Sequence, residues 1–86
     1  MEIKQGSVVI SKAGRDKGKL LAVVELSEKS AMVCDGKERP VERPKKKNLI
    51  HLAPTRYVLT DAETAANHSL NKALNKIRRQ GEREVK

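Results

Sequence analysis

The chain has 86 residues, 37% of them hydrophobic, with no Phe or Trp and a single Tyr, so it is one small domain whose core must come from aliphatic side chains. Nineteen Lys and Arg against eleven Asp and Glu give a net charge of +8, which points to a polyanionic partner. No apolar run approaches the ~18 residues of a membrane span, Glu2–Gly6 lacks the apolar core of a signal peptide, and the single Cys34 excludes an internal disulfide. The expectation is a cytoplasmic protein with no membrane partner.

The predicted elements fall into two parts. Strand-type runs at Gly6–Ile10 and Lys19–Leu26 come first, followed by the polar turn Ser27–Ser30 and a third run, Ala31–Cys34. Asp35-Gly36 then marks a turn, since both residues tolerate positive φ. Residues 37–47 hold Pro40, Pro44 and six cations, a composition that fits an extended loop or an edge and excludes a helix or a central strand. Asn48–Leu52 resumes the strand pattern, and Arg56–Leu59 adds a last short run. Short strands with turns between them predict a mainly β fold over residues 1–59, a small barrel with Val8, Ile10, Val23, Val33 and Leu49 in its core.

From Thr60 the period changes. Thr60-Asp61-Ala62-Glu63 has the form of a capping box, and Ala62, Ala66, Leu70, Ala73, Leu74 and Ile77 recur on one helical face. A C-terminal α-helix over 60–80 is expected to pack on the barrel. Lys76, Arg78 and Arg79 suit its last turn, Gly81 should stop it, and 81–86 should be a basic tail.

The turn between the first two runs concentrates glycine and positive charge: Lys12, Gly14, Arg15, Lys17, Gly18 and Lys19. Glycines open the backbone to a close partner, bare amides donate to phosphate oxygens, and the cations supply the field. An ordinary solvated hairpin loop has the same composition. A second charge source is Arg43, Lys45, Lys46 and Lys47, which follow two prolines and could track a strand of phosphates as an extended strip. A third lies on the helix, where Asn67, Asn71 and Asn75 fall at i, i+4 and i+8 beside His68, Lys72, Lys76 and Arg79. Asn is a poor helix former, so this ladder reads either as a hydrogen-bonding surface or as exposed filler.

The stretch "GSVVISKAGRDKGKLLAVVEL" resembles the KOW motif, with Gly14 followed by the Lys17-Gly18 pair and a second apolar strand. Together with the "DG" turn and the basic run into "KNLIHLAPT", it looks like the ribosomal proteins fourteen-e, six-e and twenty-seven-e of archaeal and eukaryotic large subunits. That resemblance covers about residues 5–55 and departs from many KOW motifs at Leu21. It does not extend to the helix. It implies an SH3-like barrel of KOW type that binds structured RNA, typically ribosomal RNA. The expected RNA contacts are Lys12, Gly14, Arg15, Lys17, Gly18, Lys19, Arg43, Lys45, Lys46, Lys47, Asn48 and His51. Asn71, Lys72, Lys76 and Arg79 are a candidate secondary RNA surface. Ribosomal proteins are candidate partners, and the free protein is expected to be a monomer.

The residue chemistry agrees with a phosphate reader. Single-stranded RNA is read by stacking bases on aromatic platforms, which one Tyr cannot furnish. Cys34 reads as a small buried hydrophobe. His51 and His68 lack the acidic or thiol neighbours of a zinc site, and His51 is expected half-buried in its strand. Tyr57 reads as core or barrel lid. No paired carboxylates stand at catalytic spacing, so neither an enzyme nor a cofactor is expected. Two other readings stay open: a protein-interaction barrel, as some KOW domains are in transcription factors, and a DNA binder.

Overall fold

The computed structural model describes residues 2–84, with side chains described for residues 2–80. Five strands form one antiparallel sheet: β1 (Ser7–Ser11), β2 (Leu20–Leu26), β3 (Ser30–Cys34), β4 (Lys45–Asn48) and β5 (Leu52–Val58), in the order β4-β3-β2-β1-β5. The domain is therefore mainly β with a C-terminal helix, as the sequence predicts. The two edge strands are consecutive in the chain, joined only by a 3-10 turn at Leu49–His51. Four inter-strand gaps of about 4.8 Å would put the edges of a flat sheet about 19 Å apart. The four steps from Asn48 to Leu52 reach at most about 14 Å when fully extended. The sheet must curl. No ladder joins β4 to β5 among the described residues, so curling stops short of a hydrogen-bonded closed barrel.

Both faces of this curled sheet are covered. On the concave face Val9, Leu21, Val23, Ala31, Val33 and Leu52 form one buried cluster, with Ile3 and Leu49 against it. On the convex face Val8, Ala22 and Cys34 pack with Leu70 and Leu74 of the helix, flanked by Tyr57, Leu59 and Ile77. Successive strand residues point to opposite faces, so the neighbours Val8 and Val9 serve two cores. Ile10, expected inside, shares the convex face with Val8 but lies outside the helix-covered cluster and is 37% exposed. Leu49 is half-buried at the rim of the concave core.

Two strand boundaries differ from expectation. Asn48–Leu52 is not one strand: Asn48 ends β4, Leu52 starts β5, and between them the Asn48 side chain accepts a hydrogen bond from the Ile50 amide (3.1 Å) and starts the 3-10 turn. Of the separate run expected at Arg56–Leu59, Arg56, Tyr57 and Val58 belong to β5, which starts at Leu52 and contains Pro54, and Leu59 lies just past its end. Proline is tolerated because β5 is an edge strand. The register against β1 shifts between Ser7 and Val9, and Thr55 Oγ1 donates to the Val8 carbonyl (2.6 Å) there.

The capping box is present, with Thr60 and Glu63 bonded reciprocally. The helix it opens is not the single one expected. A short α1 (Asp61–Thr64) is followed by α2 (Asn67–Glu84). Ser69 Oγ lies within hydrogen-bonding distance of the carbonyls of Ala62, Glu63 and Ala66 (3.3, 3.1 and 3.0 Å) at this break. A side chain inserted into the ladder is one of the few causes of a sharp bend. Because of the bend, Ala62 and Ala66 stay exposed while Leu70 and Leu74 are buried. Gly81 does not end α2, since glycine inside a helix costs only about 1 kcal/mol. The side chains of the expected 81–86 tail, and all of residues 85–86, fall outside the described residues.

Candidate nucleic-acid interface

The β1–β2 loop is built around one carboxylate. Asp16 Oδ1 accepts hydrogen bonds from Lys47 Nζ (2.6 Å) and Ser11 Oγ (2.7 Å), while Lys45 Nζ stands 3.8 Å from Oδ2. Lys47 Nζ also donates to the Ala13 carbonyl at 2.8 Å. In β4, Lys45 and Lys47 pair with Val33 and Ala31. They therefore share the concave face with that core, and Lys46 points the other way. The Lys47 stem runs over the apolar face, its head meets the loop, and the residue is only 7% exposed. Burial alone would raise the Asp16 pKa. The hydrogen bonds from Lys47 and Ser11, with the charges of Lys47 and Lys45, outweigh it and hold the carboxyl below its ordinary value.

This pair pins β4 to the β1–β2 loop across the open side of the curled sheet. It also turns the loop's one carboxylate inward, leaving Lys12, Arg15 and Lys17 exposed around it. Gly14 (φ +84°) and Gly18 (φ +87°) give the loop its shape, in a region closed to most side chains. Internal bonds run from the Gly18 amide to the Ser11 carbonyl (2.8 Å) and from the Lys19 amide to the Asp16 carbonyl (2.9 Å). The amides of Gly14, Arg15 and Asp16 donate to no partner among the described residues.

The other expected residues divide by what they touch. Lys19 bonds Glu38, which raises its pKa, so its charge is partly spent inside the protein. The extended strip is not one surface, because strand alternation sends Lys46 to one side and the engaged pair Lys45 and Lys47 to the other. Arg43 is exposed in the loop before β4. Asn48 is exposed at the cap of the 3-10 turn. His51, expected half-buried in a strand, is exposed in that turn, and its carbonyl accepts from the Lys12 amide (2.8 Å), which sets Lys12 beside it. Arg15, Asp16, Lys19, Glu38, Arg39 and Lys45 rim a cleft of about 210 Å³ floored by Leu21 and Val33.

The asparagine ladder on α2 has a hydrogen-bonding task inside the protein. Asn67 Oδ1 accepts from the Val41 amide (2.8 Å) and its Nδ2 donates to Glu42. Asn71 Nδ2 donates to the Asp35 carbonyl (3.4 Å), and Asn75 Nδ2 donates to Asn71 Oδ1 (3.2 Å). The ladder stitches α2 to the β3–β4 loop, where Gly36 lies so close to the Asn67 carbonyl that a Cβ would collide with it. Lys72, Lys76 and Arg79 stand on an exposed side of the helix.

Sequence reasoning missed Asp16, Ser11 and Glu38 as the groups that decide which cations stay available. The signal for Asp16 was its isolation among cations; nothing local marked Glu38. Cys34 is buried, and burial, with the charges of Asp35 and Glu42, pushes its thiol up to about 11. Tyr57 is half-buried against the convex core, and Arg56 stacks 5.3 Å from its ring centroid. Among the described residues no group of three or more His, Cys, Asp or Glu is placed to hold a metal, and no helix is long and apolar enough to cross a membrane. Compared with known proteins, the chain matches no family model and no curated protein.

Proposed function

We propose that the protein is a cytoplasmic, ribosome-associated RNA-binding module, an SH3-like barrel of KOW type that grips the phosphate backbone of structured RNA. Support for the barrel comes from the strand order and from the 3-10 turn linking two opposite edges of the sheet. The observation that carries the function is the β1–β2 loop. Its carboxylate is neutralised from within by Lys47, while Lys12, Arg15 and Lys17 stand exposed around the unpartnered amides of Gly14, Arg15 and Asp16. Amides and cations together suit phosphate oxygens. Arg43, Asn48 and His51 extend the contact, Lys45 and Lys47 act by holding the loop, and Lys46 points to the other side of β4. In this reading the chain needs no cofactor and catalyses nothing.

The test is a salt titration of binding to a folded ribosomal RNA fragment. Arg15→Ala with Lys17→Ala should leave the circular dichroism unchanged and weaken binding by about 1–2 kcal/mol. The slope against log salt should fall by roughly 0.7–0.9 for each lost contact. Folded RNA should also bind better than poly-uridine, for want of a stacking platform. An unchanged slope, or equal affinity for poly-uridine, overturns the reading in favour of a protein-interaction barrel.

A further inference from the structure

On the side of α2 opposite Leu70 and Leu74, His68, Lys72, Lys76 and Arg79 follow one another at i, i+4, i+8 and i+11. At 1.5 Å rise per residue this is a stripe about 16 Å long. With Asn71 and Asn75 these four line a shallow surface groove of about 530 Å³ that contains no carboxylate among the described residues. None of the ion pairs found among the described residues uses Lys72, Lys76 or Arg79. Lys72 and Lys76 are like charges at i, i+4, an arrangement that works against the helix. Uncompensated like charge in a row suits a polyanion. Interfacial membrane binding would need large apolar side chains on the same face, and this groove has none.

The stripe does not continue into the β1–β2 loop. The groove between loop and helix has a mixed lining: Gly18 and Lys19 from the loop, Asp35, Lys37 and Glu38 from the β3–β4 segment, and Asn71, Asn75 and Arg78 from α2. Glu42 lies farther along the same β3–β4 segment, bonded to Asn67. A phosphate backbone leaving Arg15 and Lys17 for Lys72 and Lys76 would have to pass the Asp35 and Glu38 carboxylates and then turn onto the helix face that points away from the sheet. One continuous strand is therefore a poor fit to both basic surfaces.

We infer that the outer face of α2 is a second, separate phosphate-binding surface, so that one protein molecule bridges two RNA segments. The inference rests on the proposed RNA binding at the loop and adds a second RNA to it. Bridging makes the protein a clamp between two duplexes, or between two arms of one folded RNA.

The experiment mixes the full chain with two batches of one short RNA duplex, carrying a donor and an acceptor fluorophore, and reads energy transfer and stoichiometry. Sedimentation checks that the protein is a monomer. Wild-type protein should bind two duplexes and give energy transfer. Lys72→Ala with Lys76→Ala and Arg79→Ala keeps good helix formers in α2. It should abolish transfer and leave one duplex bound with affinity within about twofold, because distant sites act additively. Arg15→Ala with Lys17→Ala should also abolish transfer while one duplex stays on the helix.

Tight binding of a single duplex, weakened by the loop variant and indifferent to the helix variant, overturns this inference and leaves the loop reading standing. Transfer lost only through the helix variant, with no effect of the loop variant, overturns the loop reading instead. Wild-type protein that binds no duplex overturns both.

Discussion

In the β1–β2 loop Arg15 and Lys17 flank a carboxylate that is tied to Lys47 and Ser11; on α2 Lys72 and Lys76 meet no carboxylate among the described residues. The two regions are alike in composition and differ in what fixes them. A loop has no ladder of its own, so its shape comes from Asp16, two glycines and a lysine reaching over from β4. A helix satisfies its own backbone and needs only its apolar side held down. Charge and shape are thus coupled in the loop and independent on the helix. A basic residue's role follows from the nearest acid in space, and the nearest acid in sequence is a poor guide to it.

The largest effect expected tests the helix half of this comparison. Leu70 and Leu74 are fully buried and supply α2's share of the convex core. Each truncation to Ala should cost about 2–5 kcal/mol, and the pair somewhat less than the sum because they share neighbours. That approaches the whole stability of a small domain, about 5–15 kcal/mol. Thermal unfolding of the double variant followed by circular dichroism should show strand and helix signals lost together at a much lower temperature. An unchanged midpoint would mean that α2 is not anchored, and the contrast between a pinned loop and an anchored helix would collapse.

Next in size is Asp16→Asn, which tests the loop half. The change leaves the Lys47 ammonium buried without its anion, at a cost of about 1–3 kcal/mol near neutral pH. The sign with pH follows from a carboxyl held below its ordinary value. Its contribution is complete above the unfolded pKa, near 3.9, and is lost as pH falls through the lower folded value. Urea midpoints of wild type and variant should therefore differ at pH 7 and converge below about pH 4. Parallel curves down to low pH would show that the pair does not stabilise the loop.

These regions also show why some of the fold was legible and some was not. The capping box at Thr60 and Glu63 was read correctly because all its partners lie within three residues. The runs around Val8 and Leu21 were recognised as strands. Their face assignment was not, since a sheet covered on both sides gives continuous apolar runs without alternation. The same continuous run makes Ile10 look like an inside residue, while the structure leaves it 37% exposed. The 3-10 turn at Leu49–His51 has the same apolar run as a strand would, and only the Asn48 cap separates the two. Lys47 sits in a charge run whose solvated look is cancelled by Asp16, 31 residues away. Spacing revealed the asparagine ladder, and the Val41 amide and Asp35 carbonyl that explain it are set by the tertiary fold.

The smallest effect expected concerns the boundary between the two regions. Glu38 is exposed and holds Lys19 from the far side of the cleft. Such a surface pair contributes little to stability, because solvent screens it and two long side chains lose freedom in forming it. Glu38→Gln should leave the thermal midpoint unchanged within error. It removes an acid from the groove between loop and helix and frees the Lys19 ammonium beside the loop's other cations. RNA affinity should rise a few-fold at moderate salt, with the slope against log salt steeper by roughly 0.7–0.9, the signature of one added phosphate contact. A lysine sequestered by Glu38 gives that gain; a lysine that already reaches RNA gives none. Weaker binding would mean that Glu38 holds Lys19 in its working position, making the ion pair part of the cradle.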